Sequence, residues 1–422
     1  MTLSSATPRD QSIWLYKVRS ATSELLYSIK AILETARMNM RLLRRREFWT
    51  IDIVIVRPVT LAKRGPFGLN KIHRVKAPYN HFQMRRPLLL GAILVTGGSG
   101  FIGSNFIRML LAEDHQNQVV NLDSLSYGSN PANLRDLEDR KNYRFVKGDI
   151  CDLELVRKIS AGVEVVVNFA AETHVDRSIS NPEPFLRTNA LGVLNLLEAC
   201  RSNDLRFVQV STDEVYGSSP DGRAFKETDR LEASSPYSAS KAAADHLAQA
   251  YHKTYGLKAL ITRCTNNFGP YQFPEKFIPK AIIRAHKNLK IPVYGSGRQI
   301  RDWIHVLDHC EALALVMQNG RDGEIYNIAG GNQIENVLAA ETILKILGRP
   351  FSLVEHVQDR PGHDFRYRLD SSKIQDELGW KPKRSFDSGL RETVRWYLDN
   401  ERWWLSIADD KMLSATPWKE KW

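Results

Sequence analysis

Cysteine is scarce in this 422-residue chain: Cys151, Cys200, Cys264 and Cys310 are scattered, and none forms a Cys-x-x-Cys pair. That argues against a disulfide framework and against a zinc site. It fits a reduced, cytoplasmic setting with no resident metal. Long apolar runs are missing too. No stretch of 18 or more apolar residues occurs, so a membrane-spanning helix is not expected. There is no low-complexity tract and no internal repeat, and a composition of 43% hydrophobic and 25% charged residues is that of a globular chain.

The bulk of the chain also lacks net charge. The formal balance is +11, but residues 1–90 hold 17 Lys and Arg against 5 Asp and Glu, while the other 332 residues hold 42 against 43. The basicity belongs to the N-terminal segment, so it gives no reason to expect a nucleic-acid partner for the body. Residues 13–42 place apolar residues at roughly helical spacing among basic ones, the pattern of an amphipathic surface helix, a targeting presequence or a partner-binding arm. Met84, just before "RRPLLLGAILVTGG", would also make a natural start, which would leave residues 1–90 a dispensable extension.

From residue 91 the pattern sharpens. "GAILVTGGSGFIGSNFIRMLL" reads as a strand over Ala92–Thr96, a glycine-rich turn with Gly97, Gly100 and Gly103, then a helix. Such a turn lets backbone N–H groups approach a pyrophosphate at a helix N-terminus, where the helix dipole favours negative charge. The next strand ends at Asp123, 20 residues after the last glycine, where an acid can bind ribose hydroxyls and would repel a 2′-phosphate. NAD is therefore expected over NADP. Further strands in "YRFVKGDI", "VEVVVNFAAE" and "LRFVQVS" alternate with helices, which predicts an α/β fold with a doubly wound parallel sheet. The helix in "TNALGVLNLLEACRS" is apolar nearly all round, which predicts burial on the sheet and against a second helix. Ligands of such sheets sit beyond the carboxyl ends of the strands, and "VQVSTDEVYG" ends there with two adjacent acids, Asp213 and Glu214. Downstream, Tyr237 and Lys241 are one helical turn apart. An ammonium beside a phenol favours phenolate, so Tyr237 is expected to have a lowered pKa and to act as base on an alcohol, with Thr212 as hydrogen-bonding partner.

These blocks, with "NFAAETHVDRSI", "NNFGPYQFPEKFIP", "VYGSGRQIRDWIHVLDH", "YNIAGGNQIEN", "DRPGHDFRYRLD" and "ELGWKPKRSF", resemble the extended short-chain dehydrogenase/reductases, and within them the dTDP-glucose 4,6-dehydratases, over about residues 92–404. "STDEVYG" discriminates best: related 4-epimerases and decarboxylases share the Tyr/Lys pair but lack the Asp-Glu pair. The resemblance implies a hydro-lyase that uses NAD to make dTDP-4-keto-6-deoxyglucose from dTDP-glucose, for rhamnose and other deoxysugars. It implies Thr212, Asp213, Glu214, Tyr237 and Lys241 as catalytic residues. At the cofactor it implies Gly97, Gly100, Phe101, Ile102, Gly103, Asp123, Ser124, Asp149, Ile150, Ala170, Ala171, Thr188, Tyr237, Lys241 and Asn267. On the nucleotide-sugar side it implies Thr173, Thr212, Asn266, Lys276, Phe277, Pro292, Tyr294, Arg301, Asn336, Arg360 and His363. It also implies a homodimer.

Arg301 makes sense as a diphosphate clamp through its planar fork, the alternative being an ion pair with Asp302. Tyr294 is a candidate to stack on the base, and His174 a residue that orders its loop. The expected organisation is a basic extension (1–90), an NAD-binding domain (91–263), a smaller α/β substrate-binding lobe (264–405) whose "DWIHVLDH" segment and following helix return in part to the larger domain, and a C-terminal tail (406–422). The rival readings are another NAD-dependent sugar-nucleotide enzyme (a dehydratase or 4-epimerase for a UDP sugar) and a catalytically idle NAD-binding scaffold. The intact Thr212/Asp213/Glu214/Tyr237/Lys241 set speaks against the scaffold.

Overall fold

The computed structural model describes residues 91–113, 117–416 and 419. The readings of residues 1–90 lie outside the described residues. Strand β1 (Ala92–Thr96) is central to a seven-stranded, wholly parallel sheet. In chain order its members are β1, β2 (Gln118–Asp123), β3 (Tyr143–Lys147), β4 (Val163–Asn168), β5 (Arg206–Thr212), β6 (Ala259–Cys264) and β10 (Ile325–Ile328), and in space they run β10-β6-β5-β4-β1-β2-β3. The order reverses between β1 and β4, which makes a crevice at the carboxyl ends of these strands, the usual ligand position in such sheets.

Strand side chains alternate between two cores. Ile93, Val95, Val165 and Val167 face a cluster shared with helices α1 (Phe101–Glu113) and α7 (Val306–Asn319). Leu94, Val163 and Val166 face the other cluster, shared with α2 (Leu153–Ser160), α4 (Val193–Ser202) and α5 (Pro236–Tyr255). Both faces of the sheet are therefore covered, which is why its strands read as continuous apolar runs.

As expected, helix α4 packs on the sheet and against its helical neighbours α2 and α5. Residues Arg187–Gly192 form a π-helical turn before α4, and Leu191 remains 50% exposed, with Leu186 beside it at 55%. Leu186 and Leu191 thus leave an apolar face of that segment half-exposed.

The smaller lobe packs α6 (Phe277–His286), α8 (Asn336–Leu347) and α9 (Phe386–Asp399) around Trp303, Trp396 and Trp404. It carries two small sheets. In one, β9 (Ile300–His305) lies between β7 (Asn266–Phe268), parallel, and β11 (Gln333–Glu335), antiparallel; the other pairs β8 (Ile291–Tyr294) with β12 (Val354–Val357). The segment 264–405 is interleaved: α7 packs under the large sheet and β10 forms its edge beside β6. Residues 406–416, expected as a tail, pack on this lobe. Leu413 is buried, and Lys280 and Arg284 donate to the Ser414 and Leu413 carbonyls at 3.1 and 2.7 Å. Among the described residues no helix is long and apolar enough to cross a membrane.

Candidate active site

Three local devices place the chemistry. The first is the glycine turn after β1. Gly97 sits at φ +67°, and a Cβ there would lie 2.5 Å from the Ala170 backbone nitrogen. A Cβ at Gly103 would lie 2.5 Å from the Gly97 carbonyl oxygen. Only glycine lets the turn, the next strand's loop and the α1 N-terminus approach this closely. At the end of β2, Asp123 accepts from the Ser99 and Leu125 N–H groups at 2.9 and 2.8 Å and from the Ser129 hydroxyl at 2.9 Å. It both folds the loop and faces the cleft, so the turn-forming and ribose-binding readings are compatible.

The second device ends β5. The Thr212 hydroxyl accepts the Glu214 N–H at 3.3 Å and caps a 3₁₀ turn over Asp213–Tyr216, which Gly217 closes at φ +77°. Val215 and Tyr216 anchor that turn in the interior, Tyr216 through Arg263 Nη1 at 2.7 Å, and Arg263 in turn pairs with buried Asp245 at 2.8 Å. With those two side chains buried, Asp213 and Glu214 face the cleft.

The third device starts α5. Ser235 and Ser238 form a reciprocal capping box, Pro236 takes the first turn, and Gly256 closes the helix in the left-handed region. Tyr237 and Lys241, one turn apart, are both buried beside β5. Tyr237 hydrogen-bonds Thr212. The Lys241 ammonium donates to the Val210 carbonyl at 2.7 Å.

The electrostatics follow from burial. Desolvation, then the adjacent Glu214 carboxylate, pushes Asp213 well above the usual carboxylate range, and its Oδ2 is buried without a hydrogen-bond partner among the described residues. Burial raises Glu214 also, but Arg360, Lys276 and Arg301 pull it back. Both acids are raised, Asp213 the more strongly, so Glu214 is the more readily ionised of the two. The expected lowering of Tyr237 is overturned in the free chain: burial and the Glu214 charge push its phenol well above the ordinary value. Lys241 does not offset this; burial draws its own pKa down to about 8.

Every residue expected at the cofactor lines one cleft of about 560 Å³, which runs from the glycine turn to Asp213 and Tyr237. A second cavity of about 190 Å³ opens from it between the lobes. The residues expected on the sugar-nucleotide side line that cavity, except Thr173 and Thr212, which line the cofactor cleft; Asn266 and Lys276 line both. The ion pair of Arg301 with Asp302 does not form, because Asp302 accepts the Gly331 and Asn332 N–H groups instead. Arg301 is held by the Ile300 and Asp364 carbonyls at 2.8 and 3.0 Å and by the Tyr367 ring, 4.3 Å from its guanidinium carbon. Its charge therefore faces the cavity from a fixed frame. The Tyr294 hydroxyl donates to Asp176 at 3.2 Å rather than presenting a bare ring. His174 is buried among aromatic edges, and burial draws its pKa well down, so it is a neutral packing residue.

Sequence reasoning missed Asp176, which accepts from Arg360 at 3.0 Å and from Tyr294, and Tyr367, which supports Arg301. Asp176 lay inside the quoted "HVDRSI" block, and an acid two residues past His174, in the loop after β4, was the available signal.

The glycine turn with Asp123 has the donors and the space for a dinucleotide, and the Tyr/Lys pair flanks the same cleft. That combination, closed by a second lobe built largely from the chain's C-terminal part, defines an extended short-chain dehydrogenase/reductase. The GDP-mannose 4,6 dehydratase family model matches residues 94–393. A dTDP-glucose 4,6-dehydratase from Streptomyces niveus is 51% identical over 330 residues, covering 77% of this chain and 98% of that protein. One from Xanthomonas campestris pv. campestris is 48% identical over 337 residues, covering 75% and 95%. DesIV, the dTDP-glucose 4,6-dehydratase of Streptomyces venezuelae solved with NAD bound, matches with a TM-score of 0.74 at 48% identity, over 75% of this chain and 100% of that one. The chain belongs to the dTDP-glucose 4,6-dehydratase family.

Proposed function

We propose that the protein dehydrates dTDP-glucose to dTDP-4-keto-6-deoxyglucose with NAD as a recycled cofactor. The observation that carries this is the divided pair Asp213/Glu214 at the end of β5, in one cleft with Tyr237. The glycine turn, Asp123, Thr188 and Asn267 would hold the dinucleotide. When bound, NAD supplies the acceptor for the hydride leaving C4, the donor of the hydride returning to C6, and a positive charge that favours the Tyr237 phenolate. Tyr237, hydrogen-bonded by Thr212, takes the 4-hydroxyl proton. The resulting ketone acidifies C5–H, and Glu214 removes that proton. Asp213, kept protonated by burial, delivers its proton to the 6-hydroxyl, which leaves as water. Glu214, after exchange of its proton with solvent, then protonates C5, and solvent resets Tyr237 and Asp213. Arg301 and Arg360 neutralise the diphosphate with positive charge held in place by their partners in the chain.

A homodimer is part of this reading: the exposed Leu186/Leu191 face offers apolar surface for a second copy. A cytoplasmic location fits four free cysteines. To test the reading, the full chain is incubated with dTDP-, UDP- and GDP-sugars. The 4-keto-6-deoxy product is expected from dTDP-glucose; product from a UDP sugar alone would reassign the substrate, and 4-epimers without loss of water would refute the dehydratase.

A further inference from the structure

The loop after β2, residues 124–130, turns through positive φ angles at Leu125 (57°) and Gly128 (93°). Ser124, Tyr127 and Gly128 line the cofactor cleft. The Tyr127 hydroxyl, however, reaches across to the other lobe and donates to Glu275 Oε2. Glu275 is 148 residues further along the chain, just ahead of α6, and lines the sugar-side cavity. Arg177, from the short helix α3 (Val175–Ser180; α3 and α4 flank the π-helical turn), completes the group. Its guanidinium carbon lies 3.2 Å from the Tyr127 ring centroid, and its Nη2 lies 3.4 Å from the same Glu275 oxygen. His174 and Phe273 set their rings edge-on to Tyr127, each at 5.0 Å between centroids. The Glu275 carboxylate is buried, and a buried carboxylate is costly unless charged and neutral donors satisfy it together. Burial and Glu275 also raise the Tyr127 phenol, so it stays a donor.

We propose that Tyr127, Glu275 and Arg177 form a clasp that fastens the cofactor loop to the sugar-binding lobe and so retains the dinucleotide through the whole cycle. This rests on the proposed function, in which the hydride taken from C4 must come back to C6 of the same sugar. A reduced cofactor that escaped midway would carry off two electrons and a proton as hydride. The sugar would be stranded at the 4-ketone oxidation level, and the chain would be left without cofactor. Retention is therefore a requirement of this chemistry distinct from catalysis itself, and the three side chains are positioning residues for it.

The test uses the full chain as wild type, Tyr127→Phe and Glu275→Gln. Each is loaded with NAD, and the rate of NAD release is followed by gel filtration and by chase with labelled NAD. Loss of the Tyr127 hydroxyl is expected to speed release about tenfold while lowering kcat at saturating NAD less than about threefold. Glu275→Gln keeps an acceptor for the hydroxyl but drops the charge facing Arg177, and an intermediate acceleration is expected. Combining the two substitutions is expected to do little more than Tyr127→Phe alone, because they break one unit. If Tyr127→Phe does not fold, Glu275→Gln decides. Release at the wild-type rate in both variants overturns the clasp; a wild type that binds no NAD overturns the proposed function, and the clasp with it.

Discussion

Replacing Tyr237 with phenylalanine should lower turnover by about 10³-fold, because the base that accepts the 4-hydroxyl proton is gone, while the fold and the NAD content survive. The ring of Tyr237, carried on α5, is buried beside β5 and edge-on to Phe185, so phenylalanine keeps the packing and removes only the hydroxyl that Thr212 hydrogen-bonds. The informative measurement is a single turnover with enzyme in excess. No reduced-nicotinamide absorbance should develop in the variant, since the block falls before the hydride leaves C4. Rapid reduction of the cofactor by Tyr237→Phe would show that another group takes the proton. The raised phenol in the free chain sharpens the expectation: with Glu214 and Asp213 nearby and Lys241 donating to the Val210 carbonyl, Tyr237 becomes a base only when positive charge enters the cleft.

Glu214→Gln should interrupt the reaction one step later. Turnover should again fall by about 10³-fold, the usual range for losing a positioned general base. Here, however, the cofactor should become reduced in a single turnover, and exchange of the C5 hydrogen with solvent should vanish. Wild-type exchange in the variant would remove Glu214 from the mechanism. The same assignment fixes the shape of the pH profile. Both groups are raised by burial, so the rate should fall on the acid side as Glu214 takes up a proton and on the alkaline side as Asp213 gives one up. An inverse assignment, with Asp213 as base, would need the more strongly desolvated carboxyl to carry the charge.

Much of this site could be read from the chain because it is built from local signals. The glycine turn, the acid at the end of β2, the Ser-Thr-Asp-Glu strand end and the Tyr/Lys spacing each occupy a few consecutive residues, and each is tied to one element terminus. What escaped was long-range. Asp176 meets Arg360 across 184 positions and Tyr127 meets Glu275 across 148, and no periodicity announces such pairings. The return of α7 and β10 to the large sheet was only half visible, because a short apolar strand reads the same in either lobe. The π-helical turn at Arg187–Gly192 left no signature, since its apolar residues mimic an ordinary buried helix. The Tyr237 pKa was misjudged for a physical reason: spacing shows that a lysine is near, but burial and the neighbouring carboxylates decide the sign.

The central claim is that one bound cofactor takes a hydride from C4 and returns it to C6 of the same sugar while water leaves between them. The most direct measurement uses dTDP-glucose deuterated at C4, mixed with unlabelled substrate, with the product analysed by mass spectrometry and NMR. The account predicts deuterium at C6 only in molecules that carried it at C4, and in deuterated solvent one solvent-derived deuteron at C5. Deuterium lost to solvent, or scrambled between labelled and unlabelled sugars, would contradict it.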